Sequence, residues 1–456
     1  MATAAPLQAH PRSVRRRTIV RNTVIALVVA AVTLLVEETR FGQIKMDEAF
    51  DQLVRHEVEA AARDEAWSKQ SLRWSVLALT PDTYDQAPGG PAWTPRRWLV
   101  DAMRQAVRGG AKVVFVDFSL PFDVPPYQMA GGTVDEQTEW AAGLAEVVTE
   151  ASARQVALLF PDLPEPRLPS AFVSTVRAAA AQHRHVRLGS AGFLEDPRDG
   201  VVRRIRTYDR DAKGKVRPSL VIQAVLLQAY GLEKGLRQID AVAQRLSDAV
   251  SLRAGFDWPV PGLERPPHFA SNEPDEECVS ARLRLRLVNE AVLEQFHGAS
   301  SIETRGDGLV TMYDPGVSPT QAELEHRFEG RVVLVGSTDP RIGDMHRTSV
   351  GALPGIYVHA NSVDTLQRGL QPLPGKWWNV LAVLVFAMIA GVMFAVLPPM
   401  FAMKATMGLV WVCVAWGATK YFQNTGVFIN IWAPMAGLVV LEALAEFEHW
   451  WHDRSR

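Results

Sequence analysis

Four apolar stretches, each long enough to cross a bilayer, bracket a long segment of mixed polarity, and they limit what this chain can fold into more than any other feature. The first is 18–37. Its Thr18 to Val36 reads TIVRNTVIALVVAAVTLLV, which at about 1.5 Å per helical residue spans roughly 28 Å, about one hydrocarbon core. Arg21, within a turn of its start, can reach the interface with its long side chain. The other three are 377–397, 400–421 and 427–445, separated by Pro398-Pro399 and by a short turn holding Asn424-Thr425-Gly426. Trp377-Trp378 and Trp450-Trp451 border the group as interfacial aromatics do. Three nearly uninterrupted runs in succession argue against a buried soluble bundle. Four transmembrane helices are therefore expected, one N-terminal and three C-terminal.

Orientation follows from charge. Arg12, Arg15, Arg16 and Arg17 make 1–17 a basic segment that the positive-inside rule holds in the cytoplasm. Glu37-Glu38-Thr39-Arg40-Phe41 follows the first run where a signal peptide needs a small-x-small cleavage site, so an uncleaved anchor is expected. Four crossings then return 446–456 to the cytoplasm as a tail and put 42–376 outside it, in a multi-pass protein of a bacterial inner membrane. Lys404 suits a cytoplasmic loop; Lys420, at the other end of the same run, opposes the scheme. Small residues four apart at Ala387, Gly391 and Ala395, and at Ala433 and Gly437, permit close helix contact and a homodimer.

Composition removes several classes. With 48 Lys+Arg against 50 Asp+Glu the formal charge is -2, which does not suit a nucleic-acid binder. Two cysteines, Cys278 and Cys413, exclude a disulfide scaffold and a four-cysteine metal site. Between the apolar stretches, short strand-like runs alternate with helical patterns. Ser75–Leu79, Lys112–Phe118, Val156–Phe160, Val186–Leu188, Leu309–Tyr313 and Val332–Val335 are apolar runs of strand length. Helices are expected at Met46–Ser71, Trp93–Val107 (stopped by Gly109-Gly110), Val134–Ser152, Ser170–Gln182, Ser219–Tyr230 and Ile356–Leu366. Val201–Tyr208 and Asp211–Val216 read as a hairpin turning at Lys213-Gly214, Leu283, Leu285 and Leu287 alternate, and Pro259–Glu277 reads as a loop. The alternation predicts an α/β domain with a mostly parallel sheet covered by helices.

Several stretches, in this order, carry a resemblance: Trp93 with Arg96, Gly109–Asp117 (GGAKVVFVD), Asp199–Arg204 (DGVVRR), Pro218-Ser219-Leu220, and above all Gly330–Leu366 (GRVVLVGSTDPRIGDMHRTSVGALPGIYVHANSVDTL). Together they resemble the extracellular sensory domain associated with cyclases and histidine kinases, the CHASE domain, in its second type. The resemblance covers most of Phe50 to Gly369, and the one-plus-three layout of apolar stretches is also that family's. Two departures stand out: Thr80-Pro81-Asp82-Thr83 where an acidic cluster is expected, and Thr311-Met312-Tyr313-Asp314 where Asn-Tyr is common. The resemblance implies a ligand or protein partner outside the cytoplasm and an effector inside it. Glu446–Arg456 leaves no room for a kinase or cyclase domain, so a separate kinase, cyclase or regulator is the expected output.

Candidate site residues lie at strand ends. The loop from Ser337 to Thr348 follows a buried strand, and loops at the carboxyl ends of parallel strands line the usual ligand crevice. The expected binding residues are Asp82, Asp117, Tyr313, Ser337, Asp344, His346, Thr348, His359 and Asn361. Asp117 equally suits a hydrogen-bonded core carboxylate. Asp344-x-His346 with His359 offers carboxylate and imidazole donors but no tight metal-binding spacing, so no metal is expected. Gly336 lacks the further glycines of a dinucleotide fingerprint, no Gly-Lys-Ser/Thr phosphate loop occurs, and no Ser-His-Asp or Cys-His set stands out, so neither cofactor nor catalysis is expected. The function expected is a membrane-bound sensor without catalysis. The alternatives are a scaffold or subunit of an envelope complex and, behind it, a periplasmic hydrolase using the strand-end carboxylates.

Overall fold

In the computed structural model of the chain the residues described are 73–87, 93–118, 127–129, 132–162, 170–196, 199–206, 208–210, 216–252, 280–282 and 310–367, with isolated positions elsewhere. The chain divides into two compact units, Met1–Leu53 with Gln371–Arg456, and Val54–Leu370. The four apolar stretches lie outside the described residues except at Val24, Val28, Val385, Gly408 and Gly417. Among the described residues no helix is long and apolar enough to cross a membrane. Of the helix expected at Met46–Ser71, positions 47–48, 50–55 and 58 are described, and they are helical. Pro259–Glu277 and Leu283–Leu287 also lie outside the described residues.

The second unit is built on a parallel sheet. Its strands are β1 (Trp74–Leu79), β2 (Val113–Val116), β5 (Ala157–Pro161), β6 (Val186–Gly189), β12 (Val310–Met312) and β13 (Val332–Ser337), in the spatial order β12-β1-β13-β2-β5-β6. Every neighbouring pair is parallel. The four central strands read WSVLAL, VVFV, ALLFP and VVLVGS because a strand covered on both faces must be apolar at every position. Each fully buried Val, Leu or Phe in them contributes about 1.5–3 kcal/mol.

Helices α1 (Pro81–Asp85), α2 (Arg96–Arg108), α3 (Glu136–Ala153), α4 (Ala171–Gln182) and α7 (Gln321–Phe328) lie on one face with a shared core. That core includes Leu77, Val114, Leu158 and Val333 from the sheet and Trp98, Trp140, Phe172 and Phe328 from the helices. Helices α5 (Leu220–Tyr230) and α8 (Gly355–Gln367) pack on the opposite face, and α6 (Leu232–Leu252) packs on α5. Local chemistry sets the helix ends: Asp135 and Ser170 cap α3 and α4, and a Thr320–Glu323 capping box starts α7.

A smaller mixed sheet gathers β7 (Leu194–Glu195), β8 (Val201–Arg206), β11 (Ser280–Arg282), β14 (Met345–Thr348) and β15 (Gly351–Pro354) around β8. Two short hairpins complete the strands: β3 (Tyr127–Met129) with β4 (Gly132–Val134), and β9 (Tyr208–Arg210) with β10 (Val216–Pro218). The hairpin expected from Val201 is thus displaced. Val201–Arg206 joins the mixed sheet, and the turn is made between β9 and β10. The segment read as one loop from Ser337 to Thr348 contains a strand, β14, whose mixture of Met, His, Arg and Thr hides it from a search for apolar runs.

Two residues that carried the family resemblance are structural. Arg96 is buried, its backbone N–H donates to the buried Glu136 carboxylate, and its guanidinium donates to the Thr94 carbonyl at 2.8 Å and lies over Phe172. In the Asp-Gly-x-x-Arg run, Arg203 reaches back to Asp199 at 2.7 Å and to Asp196 at 3.3 Å, closing the β7–β8 turn, where Gly200 takes a positive φ of 69°.

Gly336 sets the distance between β13 and α8. A Cβ there would stand 2.7 Å from three side-chain atoms of Ile356, itself fully buried. The substitution Gly336→Ala is therefore expected to cost about 1–3 kcal/mol by overpacking. Urea unfolding of the full chain followed by tryptophan fluorescence measures it.

Candidate functional site

The carboxyl end of β13 is where the fold changes direction. Its neighbours β1 and β2 both lead into helices on the first face, whereas β13 leads through the β14–β15 hairpin to α8 on the other. Such a reversal opens a crevice beyond the strand ends, the usual ligand position of open α/β sheets.

Strand parity decides which side chains reach it. Phe115 and Asp117, two apart, turn toward α8, while Val114 and Val116 join the core on the first face. Tyr313 joins that first-face core beside Trp98, and its hydroxyl donates to Asp101 at 3.0 Å. Burial, then the Asp101 charge, raises the Tyr313 pKa far above its ordinary value. Asp82 is exposed on α1. The expectation that Asp82, Asp117 and Tyr313 meet at one pocket therefore fails for Asp82 and Tyr313, because parity and the α1 turn send them elsewhere.

The β1 side of the crevice is closed by a charged latch that the sequence reading missed. Ser337 accepts the Asp339 backbone N–H at 3.1 Å. The Asp339 carboxylate takes the Arg341 guanidinium at 2.7 and 2.9 Å and the Arg341 backbone N–H at 2.9 Å. Arg341 continues to Asp85 at 2.8 Å and to the Pro81 carbonyl at 3.1 Å, tying this loop to α1. Burial opposes ionisation of Asp339, but the Arg341 bonds outweigh it and hold the carboxyl below its ordinary value. Thr348 and Asn361 also serve the fold: Thr348 donates to the Gly351 carbonyl within the hairpin, and Asn361 to the Tyr357 carbonyl one turn back in α8.

On the β2 side lies a buried polar pair. His359 Nε2, on α8, stands 3.3 Å from Asp117 Oδ1, with side-chain exposures of 2% and 11%. Asp117 Oδ2 and His359 Nδ1 are buried without a hydrogen-bond partner. Phe115 and Phe193 pack against the imidazole, with centroid distances of 4.9 and 4.3 Å. Asp117 Oδ2 and His359 Nδ1 thus keep hydrogen-bonding capacity beyond the pair itself.

Phe193 also touches His346, with ring centroids 4.5 Å apart in an edge-on contact. His346 sits between two carboxylates, with Nε2 3.1 Å from Asp344 and Nδ1 3.1 Å from Glu195. Burial disfavours the imidazolium, yet the bonds to Asp344 and Glu195 prevail and raise its pKa above the ordinary value. Asp344 is itself fixed at the start of α8. Its carbonyl accepts the Gly355 N–H at 2.9 Å, and its carboxylate occupies the space where a Gly355 side chain would begin. Of the residues expected at the site, Asp117, Asp344, His346 and His359 gather around Phe193. Phe193, Glu195, Asp339, Arg341 and Gly355 are additions. Among the described residues no group of three could hold a metal ion, and Phe193 contacts both His346 and His359.

The cost of the pair is testable. His359→Phe keeps an aromatic ring beside Phe115 and Phe193 but strands the whole Asp117 carboxylate, and should destabilise the chain by about 1–3 kcal/mol. Adding Asp117→Leu removes the stranded group and should recover most of that loss in a double-mutant cycle of urea unfolding.

A comparison with protein families agrees with this architecture. The family model described as the CHASE2 domain matches residues 24–392, beginning in the first apolar stretch and ending in the second. No curated protein and no solved structure matches the chain. With that match over most of its length, and a parallel-sheet domain between its flanking apolar stretches, the chain belongs to the CHASE2 domain family of sensory domains.

Proposed function

We propose that this chain is a membrane-anchored, non-catalytic sensor whose domain lies outside the cytoplasm. In this reading a small ligand or envelope partner acts at the carboxyl-end crevice, and the response passes through α8 to the membrane segments and a cytoplasmic effector. One observation carries it. Helix α8 is buried from Gly355 to Leu366, bears His359 in the crevice, and is followed ten positions after Gln367 by the apolar stretch that begins at Trp377. A ligand shifts such an element only by binding one of its arrangements better than the other. The membrane assignment rests on the sequence, in which four apolar stretches are each long enough to cross a bilayer. The arginines of 1–17 favour the cytoplasm for the N-terminus, and an odd number of crossings then separates it from the domain.

Single cysteines in a Cys278→Ser, Cys413→Ser background test the topology. Val317→Cys, at a position with 56% exposure, should react with a membrane-impermeant maleimide in intact spheroplasts, and Arg454→Cys only after permeabilisation. The reverse pattern would overturn the orientation. Mild cross-linking of the full chain, compared with a truncation after Leu444, tests the signalling. A kinase, cyclase or regulator lost with the tail supports the sensor; envelope proteins retained by both forms would establish a scaffold instead.

A further inference from the structure

We propose that His346 is a proton-operated latch that holds Phe193 over the buried Asp117–His359 pair, closed in acid and open once the imidazole is neutral. Both ring nitrogens of His346 face carboxylate oxygens at 3.1 Å, Asp344 on one side and Glu195 on the other. Ionised carboxylates only accept hydrogen bonds, and a neutral imidazole has one N–H to give. Both contacts therefore exist together only with the imidazolium. When the proton leaves, one nitrogen presents a lone pair to a carboxylate oxygen and that contact becomes repulsive.

The contact that yields is the one to Glu195. Asp344 is anchored at the start of α8, where its carboxylate packs over Gly355 and its carbonyl accepts the Gly355 N–H. Glu195 is more than half exposed and sits on β7, a two-residue strand whose pairing with β8 is irregular. Water solvates it readily once it is released. Phe193 stands two positions before Glu195, in contact with His346 and with His359. Letting go of Glu195 loosens the segment that carries this ring, and with it the cover over Asp117 and His359.

Few other charges bear on the latch. Along β14, Arg347 donates to the Asp199 carbonyl at 3.3 Å. On β8, Arg203 is engaged by Asp196 and Asp199, and the Arg206 guanidinium lies beside Gly192, its Cζ 3.7 Å from where a Cβ there would stand. Strand β15 carries no titratable side chain. From α8, His359 contacts Phe193 and is paired with Asp117. The charges that set the latch are thus those of Asp344 and Glu195, and they raise the His346 pKa although burial lowers it. The closed form is fully favoured below the ordinary 6.5 of a histidine and loses that advantage as pH rises through the raised folded value. That the proton is a stimulus, gating the crevice, rests on the sensor reading; the latch itself does not.

The test uses the full chain with 13C-labelled histidine and reads two signals across pH 5 to 9, a range chosen to span about two units around histidine titration. The His346 resonance, assigned by its loss in His346→Gln, should titrate above the ordinary histidine value. Hydrogen-exchange protection factors of the segment from Gly192 to Arg206, corrected for intrinsic pH dependence, should fall about tenfold over the same interval, the effect of losing one charge-assisted bond. Glu195→Gln, a change at an exposed side chain, should lower the midpoint, while His346→Gln should leave the segment at its low-protection level at every pH. Protection of β2 and β5 should stay unchanged in both variants, which separates latch opening from unfolding. His346 titrating at or below the ordinary value, or protection flat while His346 titrates, would overturn the latch. Opening on schedule with cross-linked partners that do not change with pH would confirm the latch and count against the sensor reading alone.

Discussion

Everything in the crevice depends on the close approach of α8 to β13 at Gly336. The strand lies between β1 and β2, hydrogen-bonded to both, and its end is where the chain turns to the other face of the sheet. Because Gly336 has no side chain, Ile356 can pack directly on the strand, and α8 enters the fold close enough for His359 to reach Asp117. A second glycine at the helix start, Gly355, makes room for the Asp344 carboxylate, which in turn holds His346. Two absent side chains thus help to bring two imidazoles against one phenylalanine.

The two sides of the crevice differ in how fully their polar groups are satisfied. Around Asp339 and Arg341 the carboxylate is bonded in a fork and the guanidinium continues to α1, so the assembly locks one arrangement. At Asp117 and His359, unmet polar atoms are kept in the interior at a cost that a Leu–Phe pair would avoid.

The sheet was readable in advance because parallel strands covered on both faces must be apolar at successive positions. VVFV, ALLF and VVLV can hardly be anything else once flanked by helical patterns and turns, and Gly109-Gly110 ends α2 as read. Strand β14 was not readable: half of its residues face a polar environment, and Met-His-Arg-Thr has no alternation that marks a strand. Asp117 is legible because an acid ending an apolar strand of a parallel sheet falls near the crevice, and Asp344, His346 and His359 because their run offers carboxylate and imidazole donors. Tyr313 and Asp82 follow from the strand-end rule as well, which counts strand ends and ignores parity, and the fold turns both away from Asp117. Phe193 and Glu195 carried no signal, since they reach the site from the mixed sheet, far from β13 in sequence, through pairing that only the tertiary fold reveals.

The polar residues of helix α8 are used within the fold. Asn361, Ser362 and Thr365 each donate to the carbonyl four residues back, so part of its polar content is turned onto its own backbone. Toward its far end Asp364 accepts the Trp74 indole N–H at 3.1 Å, a buried bond to the first strand of the sheet. From His359 to Leu366 the helix is a rod of about 10 Å, closely packed throughout, and a dense interior does not deform gradually. A displacement at the His359 end must therefore either be absorbed locally by Phe193 and the β7 edge or move the rod as a body and be felt at Asp364. The crevice sets a two-residue, irregularly paired strand against a closely packed helix.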